Sequence, residues 1–187
     1  MVKKNRTEKG RRNKLVGQIG EYLASAELAR RNFIATPFSG NVPEFDILAV
    51  DNRLKIIPIQ VKTIRGGSWQ FSGTEFLTIE FDGKAQKVAV KKKMAHRELL
   101  YIFVKLGENY GGDEFYLLEK AELQNIIYNN YCTYLKKKSG IRPKNPASTH
   151  CSVTPDDLSR FRDNWSILLK QAADNSAMEE PELSYAK

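Results

Sequence analysis

Cysteine and histidine are almost missing from this chain: two of each in 187 residues. Cys132 and Cys151 stand alone, without the paired spacing of a thiolate metal site, and His96 and His150 have no partner at ligand spacing. That excludes a disulfide scaffold and a zinc centre of the usual Cys/His kind, and it fits a reducing compartment with free thiols. Long apolar runs are also lacking. No stretch approaches the roughly 20 residues of a membrane span, and the basic N-terminus "MVKKNRTEKGRRNK" is not followed by an apolar segment of signal type. The expectation is a cytoplasmic protein.

Acid is in deficit. Thirty Lys and Arg face 22 Asp and Glu, for a formal net charge of +8 and a pI near 9.4. Such an excess favours a polyanionic partner, most simply nucleic acid. Hydrophobic residues make up 41% of the chain, which is enough for one core.

Read along its length, the chain divides into a basic flexible arm over 1–12, one folded domain over 13–173 and a flexible polar tail over 174–187. A helix is predicted from about Asn13 to Arg31, with Leu15, Ile19, Tyr22, Leu23, Ala26 and Ala29 on its apolar face and Asn32 as a stop. Strands are predicted at about 33–38, 45–50, 54–63, 75–80, 86–90, 99–106 and 113–119. "SGNVPE" reads as a turn and "RGGSWQFSGTE" as a Gly/Ser-rich loop. A helix is expected over 119–138, then a basic loop broken by two prolines. A last helix starts at Thr154-Pro155-Asp156-Asp157 and runs to about Ala173. Helix, strands, helix, helix implies an α/β or α+β domain: one mixed sheet flanked by helices.

The chemistry gathers in "EFDILAVDNRLKIIPIQVK", Glu44 to Lys62. Two apolar strands carry three polar residues, Asp46, Gln60 and Lys62, and buried strands seldom hold such groups without partners. Gln60 and Lys62 share a face because side chains alternate. A hairpin centred near Asn52 pairs residues whose numbers sum to about 104–106, which puts Asp46 opposite about residue 58–60. A carboxylate, an amide oxygen and an ammonium then meet at one end of the hairpin. With the backbone carbonyl of Val61 as a further oxygen, that set suits Mg²⁺ or Mn²⁺, and Lys62 is placed to touch an attacking water or a transition-state phosphate.

Glu21 in "GQIGEYLASAELARRNF", Asp46 at a strand, and Gln60-Val61-Lys62-Thr63 ("QVKT") on the next strand together resemble the PD-(D/E)XK nuclease superfamily, in its subgroup with Gln in place of the first acid of the ExK motif. The resemblance covers about residues 15–65. It implies the fold of restriction endonucleases and Holliday-junction resolvases, and Mg²⁺-dependent hydrolysis of DNA phosphodiesters by activated water. It further implies Asp46 as the central metal ligand, Gln60 in the second ligand position, Lys62 as the catalytic lysine and Glu21 as a contact to the metal. Many relatives pair as dimers to cut both strands, which makes a homodimer plausible here, and RNA is kept as an alternative substrate. The alternative is a nucleic-acid-binding module that keeps the fold and lacks catalysis, favoured by Gln60 because it removes a negative charge from the metal site.

Other residues are read more plainly. Glu44 is a rival ligand to Glu21. Ser39 and Gly40 sit in a turn near the motif. Trp69 and Phe71 are placed to stack on bases or to cover the sheet. The expected phosphate contacts are Arg65, the run Lys91, Lys92, Lys93 with Arg97, and the run Lys136, Lys137, Lys138.

Overall fold

The computed structural model describes residues 2–38, 44–109 and 111–174, with side chains from residue 8 to 171. The chain opens with helix α1 (Val2–Ala29), followed by strands β1 (Ile34–Pro37), β2 (Ile47–Val50), β3 (Ile56–Ile64) and β4 (Trp69–Ser72). A one-turn helix α2 (Gly73–Phe76) leads to β5 (Leu77–Asp82), β6 (Ala85–Lys91), β7 (Leu100–Lys105) and β8 (Glu114–Glu119). Helix α3 (Lys120–Lys137), strand β9 (His150–Val153), a 3-10 turn (Asp156–Phe161) and helix α4 (Ile167–Asp174) complete it.

Five strands form the main sheet in the order β1-β2-β3-β7-β8. β3 and β7 run parallel and every other neighbouring pair is antiparallel, so the sheet is mixed, as the sequence predicts. β7 reads Leu-Tyr-Ile-Phe-Val-Lys and is interior to the sheet. Its alternate residues serve two cores. Leu100, Ile102 and Val104 face α1 and α4 with Leu28 and Leu168; Tyr101 and Phe103 face α3 with Leu123, Ile127 and Tyr131. A strand buried on both faces is continuously apolar for this reason.

Several expectations are corrected. Of the segment expected as an arm over 1–12, residues 2–12 form the first turns of helix α1; Lys, Arg and Glu are good helix formers, and Gly10 alone is a weak break. The helix face differs too. Gly20, Ala24 and Leu28 are buried, while Leu15 and Tyr22 are exposed. The small residues let the helix lie close on the sheet, and this outweighs the burial of larger side chains on the neighbouring stripe.

The loop 65–75 contains β4, which pairs with β9 some 80 residues later, Trp69 opposite Val153 and Ser72 opposite His150. The expected helix over 154–173 is broken. Thr154 and Asp157 do cap each other: Asp157 N–H donates to Thr154 Oγ1 at 3.2 Å and Thr154 N–H to Asp157 Oδ2 at 2.7 Å. After Phe161 the chain turns to satisfy the open edge of β8 instead, with Asp163 N–H on Phe115 O at 2.9 Å and Asn164 Nδ2 on Leu117 O at 3.2 Å. An edge strand's unpaired carbonyls compete successfully with helix continuation. Asn32 ends the first helix in the left-handed region, φ 65°. Ser39, Gly40 and the polar tail beyond Asp174 lie outside the described residues. Among those described, no helix is long and apolar enough to cross a membrane.

Candidate functional site

The β2–β3 hairpin has the register Ile47↔Ile59 and Val50↔Ile56, the upper end of the expected range. Backbone pairing stops just past it. Asp46 N–H donates to Ile59 O at 2.8 Å, and its own carbonyl accepts Phe38 N–H at 3.0 Å. The next N–H on that edge of β3 belongs to Val61. No backbone carbonyl among the described residues reaches it; the Asp46 carboxylate does, Oδ2 accepting at 2.8 Å. The same Oδ2 accepts from Gln60 Nε2, which also lies 3.5 Å from Val61 O.

Asp46, Gln60 and Val61 are therefore brought together. N–H and C=O of one residue point to the same side of a strand, so the Val61 carbonyl shares this edge with the carboxylate. A half-turn of the Gln60 amide exchanges Nε2 for Oε1. Beside a lone carboxylate the N–H end is favoured; beside a cation the oxygen end is. The potential donors are thus one carboxylate, one amide oxygen and one carbonyl, hard oxygens of the kind Mg²⁺ takes. Among the described residues no three His, Cys, Asp or Glu side chains group so as to hold a metal ion, so any cation here depends on the amide and the main chain.

Glu21 approaches from α1. Burial, and then the charge of Asp46, push its carboxyl above the ordinary range. A carboxyl whose ionisation is opposed by burial and by a neighbouring carboxylate is one that a cation would favour ionising. The approach is set by Gly20. A Cβ there would lie 1.8 Å from Thr63 Oγ1, so the helix backbone rests directly on the strand one residue past Lys62. Hydrophobic periodicity does not single out Gly20, though a glycine inside a helix commonly marks close packing. Thr63 Oγ1 is buried there with no hydrogen-bond partner among the described residues.

Lys62 is half-buried and forms no ion pair among the described residues. Its carbonyl accepts the Trp69 indole N–H at 2.9 Å. Trp69 and Phe71 are themselves core, 3% and 7% exposed, with Trp69 edge-on to Phe103 and Tyr116. They cover the sheet, and stacking on bases is closed to them. Glu44 turns toward His96, 3.8 Å away, and is exposed; His96 is also 3.7 Å from Glu98. Tyr101 is in the same neighbourhood, its phenol pushed up to about 12 by burial and by Glu75, Asp46 and Glu44.

The expected phosphate contacts do not form one patch. Lys91 bonds Asn125 Oδ1 at 2.7 Å and lies over the Tyr128 ring, and Gln124 holds the carbonyl of Lys92. Arg97, whose carbonyl accepts Ala121 N–H at 2.9 Å, joins this run at the first turn of α3. Lys136, Lys137 and Lys138 end the same helix, roughly 18 Å further along its axis. Arg65, by contrast, lines a cleft of about 870 Å³ together with Lys62 and, from α1, Lys9 and Arg12.

No family model matches the chain, and none of the curated proteins matches it. Among solved structures it is similar to a bacterial homing endonuclease, with 12% identity and a TM-score of 0.48 over 90% of this chain and 98% of that one.

Proposed function

We propose that the chain is a divalent-metal-dependent endonuclease of PD-(D/E)XK type that hydrolyses DNA phosphodiester bonds. The observation that carries this reading is the meeting of Asp46, Gln60 and the Val61 main chain at one strand edge, with Lys62 next on the same strand and lining a cleft with basic walls. Asp46, Gln60 Oε1 and Val61 O would hold Mg²⁺ or Mn²⁺, with Glu21 contacting it directly or through water. When bound, such an ion supplies Lewis-acid polarisation and a more acidic water. Lys62 places a positive charge where negative charge develops on the phosphoryl oxygens. Trp69 holds the Lys62 carbonyl, so the lysine extends from a fixed backbone.

One observation favours a second reading. Asp46 Oδ2 is already satisfied by two N–H donors from Gln60 and Val61, an arrangement that also suits a nucleic-acid-binding module without catalysis. The test is cleavage of plasmid, linear and branched DNA with Mg²⁺ or Mn²⁺, using the wild type, Asp46→Ala and Lys62→Ala, with RNA as competitor. Metal-dependent cutting lost in both variants supports the nuclease. No cutting, with DNA binding intact in all three, leaves the binding module.

A further inference from the structure

Helix α1 carries a single stripe that changes character along its length. Leu28, Ala24 and Gly20, spaced by four, are fully buried against the sheet. Val16 continues the stripe at half-burial, and Arg12 and Lys9 follow with Asn13 beside them. Residues three or four apart lie on one helix face, so Lys9 and Arg12 extend from the same face that rests on Thr63. By then the helix has left the sheet: Lys9 is about 16 Å of helix rise beyond Gly20. What lies under this overhang is the β3–β4 connection. Lys9, Arg12, Asn13 and Val16 form one side of the cleft of about 870 Å³, Arg65, Gly66, Ser68 and Gln70 the other, and Lys62 and Thr63 reach it from β3. Among the described residues its charged lining is Lys9, Arg12, Lys62 and Arg65 against the single acid Glu8.

We propose that this cleft binds the phosphate backbone of a nucleic-acid strand, with Lys9 and Arg12 on one side and Arg65 on the other, and leads it past Lys62. The inference deepens the nuclease reading by giving the substrate a path, and it assigns half of the contact surface to the turns of α1. An anion is favoured because these cations cluster where the helix has run off its support. Exposed cations that share a helix face, as Lys9 and Arg12 do, repel one another unless something negative lies between them. Backbone contact, with no base readout, suits Lys and Arg side chains around an open cleft.

The experiment measures binding of short duplex DNA in metal-free buffer across a salt series. Three proteins are compared: wild type, the cleft variant Lys9→Gln/Arg12→Gln/Arg65→Gln, and a charge-matched variant Arg53→Gln/Lys84→Gln/Lys87→Gln at exposed positions away from the cleft. Each phosphate contact contributes about 0.9 to the slope of log K against log salt. The cleft variant is therefore expected to lose about 3 from that slope, and the charge-matched variant less than about 1. Equal losses would mean diffuse attraction by net charge and would overturn the proposal, as would an unchanged cleft variant. Duplex DNA of unrelated sequence is expected to shift in parallel; a shift with only one sequence would overturn backbone contact as the mode. Thermal unfolding of all three proteins checks that they fold. Because no metal is present, failure of cleavage does not enter: a binding cleft without cutting would sink the nuclease reading and leave this inference standing.

Discussion

The carboxylate of Asp46 accepts the backbone N–H of Val61 at 2.8 Å, taking the place of a ladder bond where β2 has already ended. A side chain thus completes the main-chain pairing of β3. The bond joins structure and proposed chemistry, since the atom that would hold a cation is also the one that satisfies a strand edge.

Removing that carboxylate should cost stability even without metal. Asp46→Ala leaves Val61 N–H and the Gln60 amide without their acceptor, and is expected to lose about 1–3 kcal/mol in urea unfolding. Added Mg²⁺ or Mn²⁺ should stabilise the wild type in proportion to ligand binding and leave the variant unmoved. A cation that stabilised both equally would be binding elsewhere.

Gly20 offers a test of the helix seat. In an ordinary helix interior, Gly→Ala gains up to about 1 kcal/mol. Gly17, where an added methyl would meet nothing within 4 Å, should show that gain. Gly20→Ala should show the reverse, a loss of about 1–3 kcal/mol, because its methyl meets Thr63 Oγ1. Differential scanning calorimetry of the two variants reads the opposite signs directly.

The raised pKa of Glu21 predicts a pH dependence. A carboxyl whose folded value lies above its unfolded value binds more protons when folded. Stability therefore falls as pH rises from the ordinary carboxylate range through the raised value. Glu21→Gln should flatten this fall in metal-free buffer, from the ordinary carboxylate range up through the raised value. A variant whose pH profile coincides with the wild type would refute the raised Glu21 value and its contribution to stability.

Trp69→Phe keeps an aromatic against Phe103 and Tyr116 and deletes the N–H that holds Lys62 O. The expected loss in stability is about 1 kcal/mol. If Lys62 acts in cleavage, the turnover rate should fall while DNA affinity in metal-free buffer stays within about twofold. Affinity and rate falling together would assign Trp69 to the cleft wall alone.

Much of the site is legible in the sequence because its geometry is local. Asp46 and Gln60 are 14 residues apart across a tight turn, and strand alternation places Gln60 and Lys62 on one face whatever the rest of the chain does. Glu21 enters only through family resemblance; what brings it near Asp46 is the contact of Gly20 with Thr63, which no periodicity announces. The buried stripe on α1 escapes the pattern for a related reason. Hydrophobicity favours Leu15 and Tyr22, while close approach to a sheet selects Gly20, Ala24 and Leu28. Lys9 and Arg12 read as part of an arm because charge density alone does not distinguish a solvated segment from a helix extending beyond its sheet.

By itself, the sequence determined the mixed α+β character, the β2–β3 hairpin and the placing of its polar residues at one end, since period-2 alternation and a short turn need only neighbouring residues. Tertiary structure decided the rest: which small-residue stripe lets α1 reach Thr63, that β4 finds β9, that the last helix breaks to serve the edge of β8, and that Lys9 and Arg12 face Arg65 across a cleft. Those outcomes depend on which unsatisfied backbone edges and which flat surfaces meet in space, and that meeting is a property of the assembled layers.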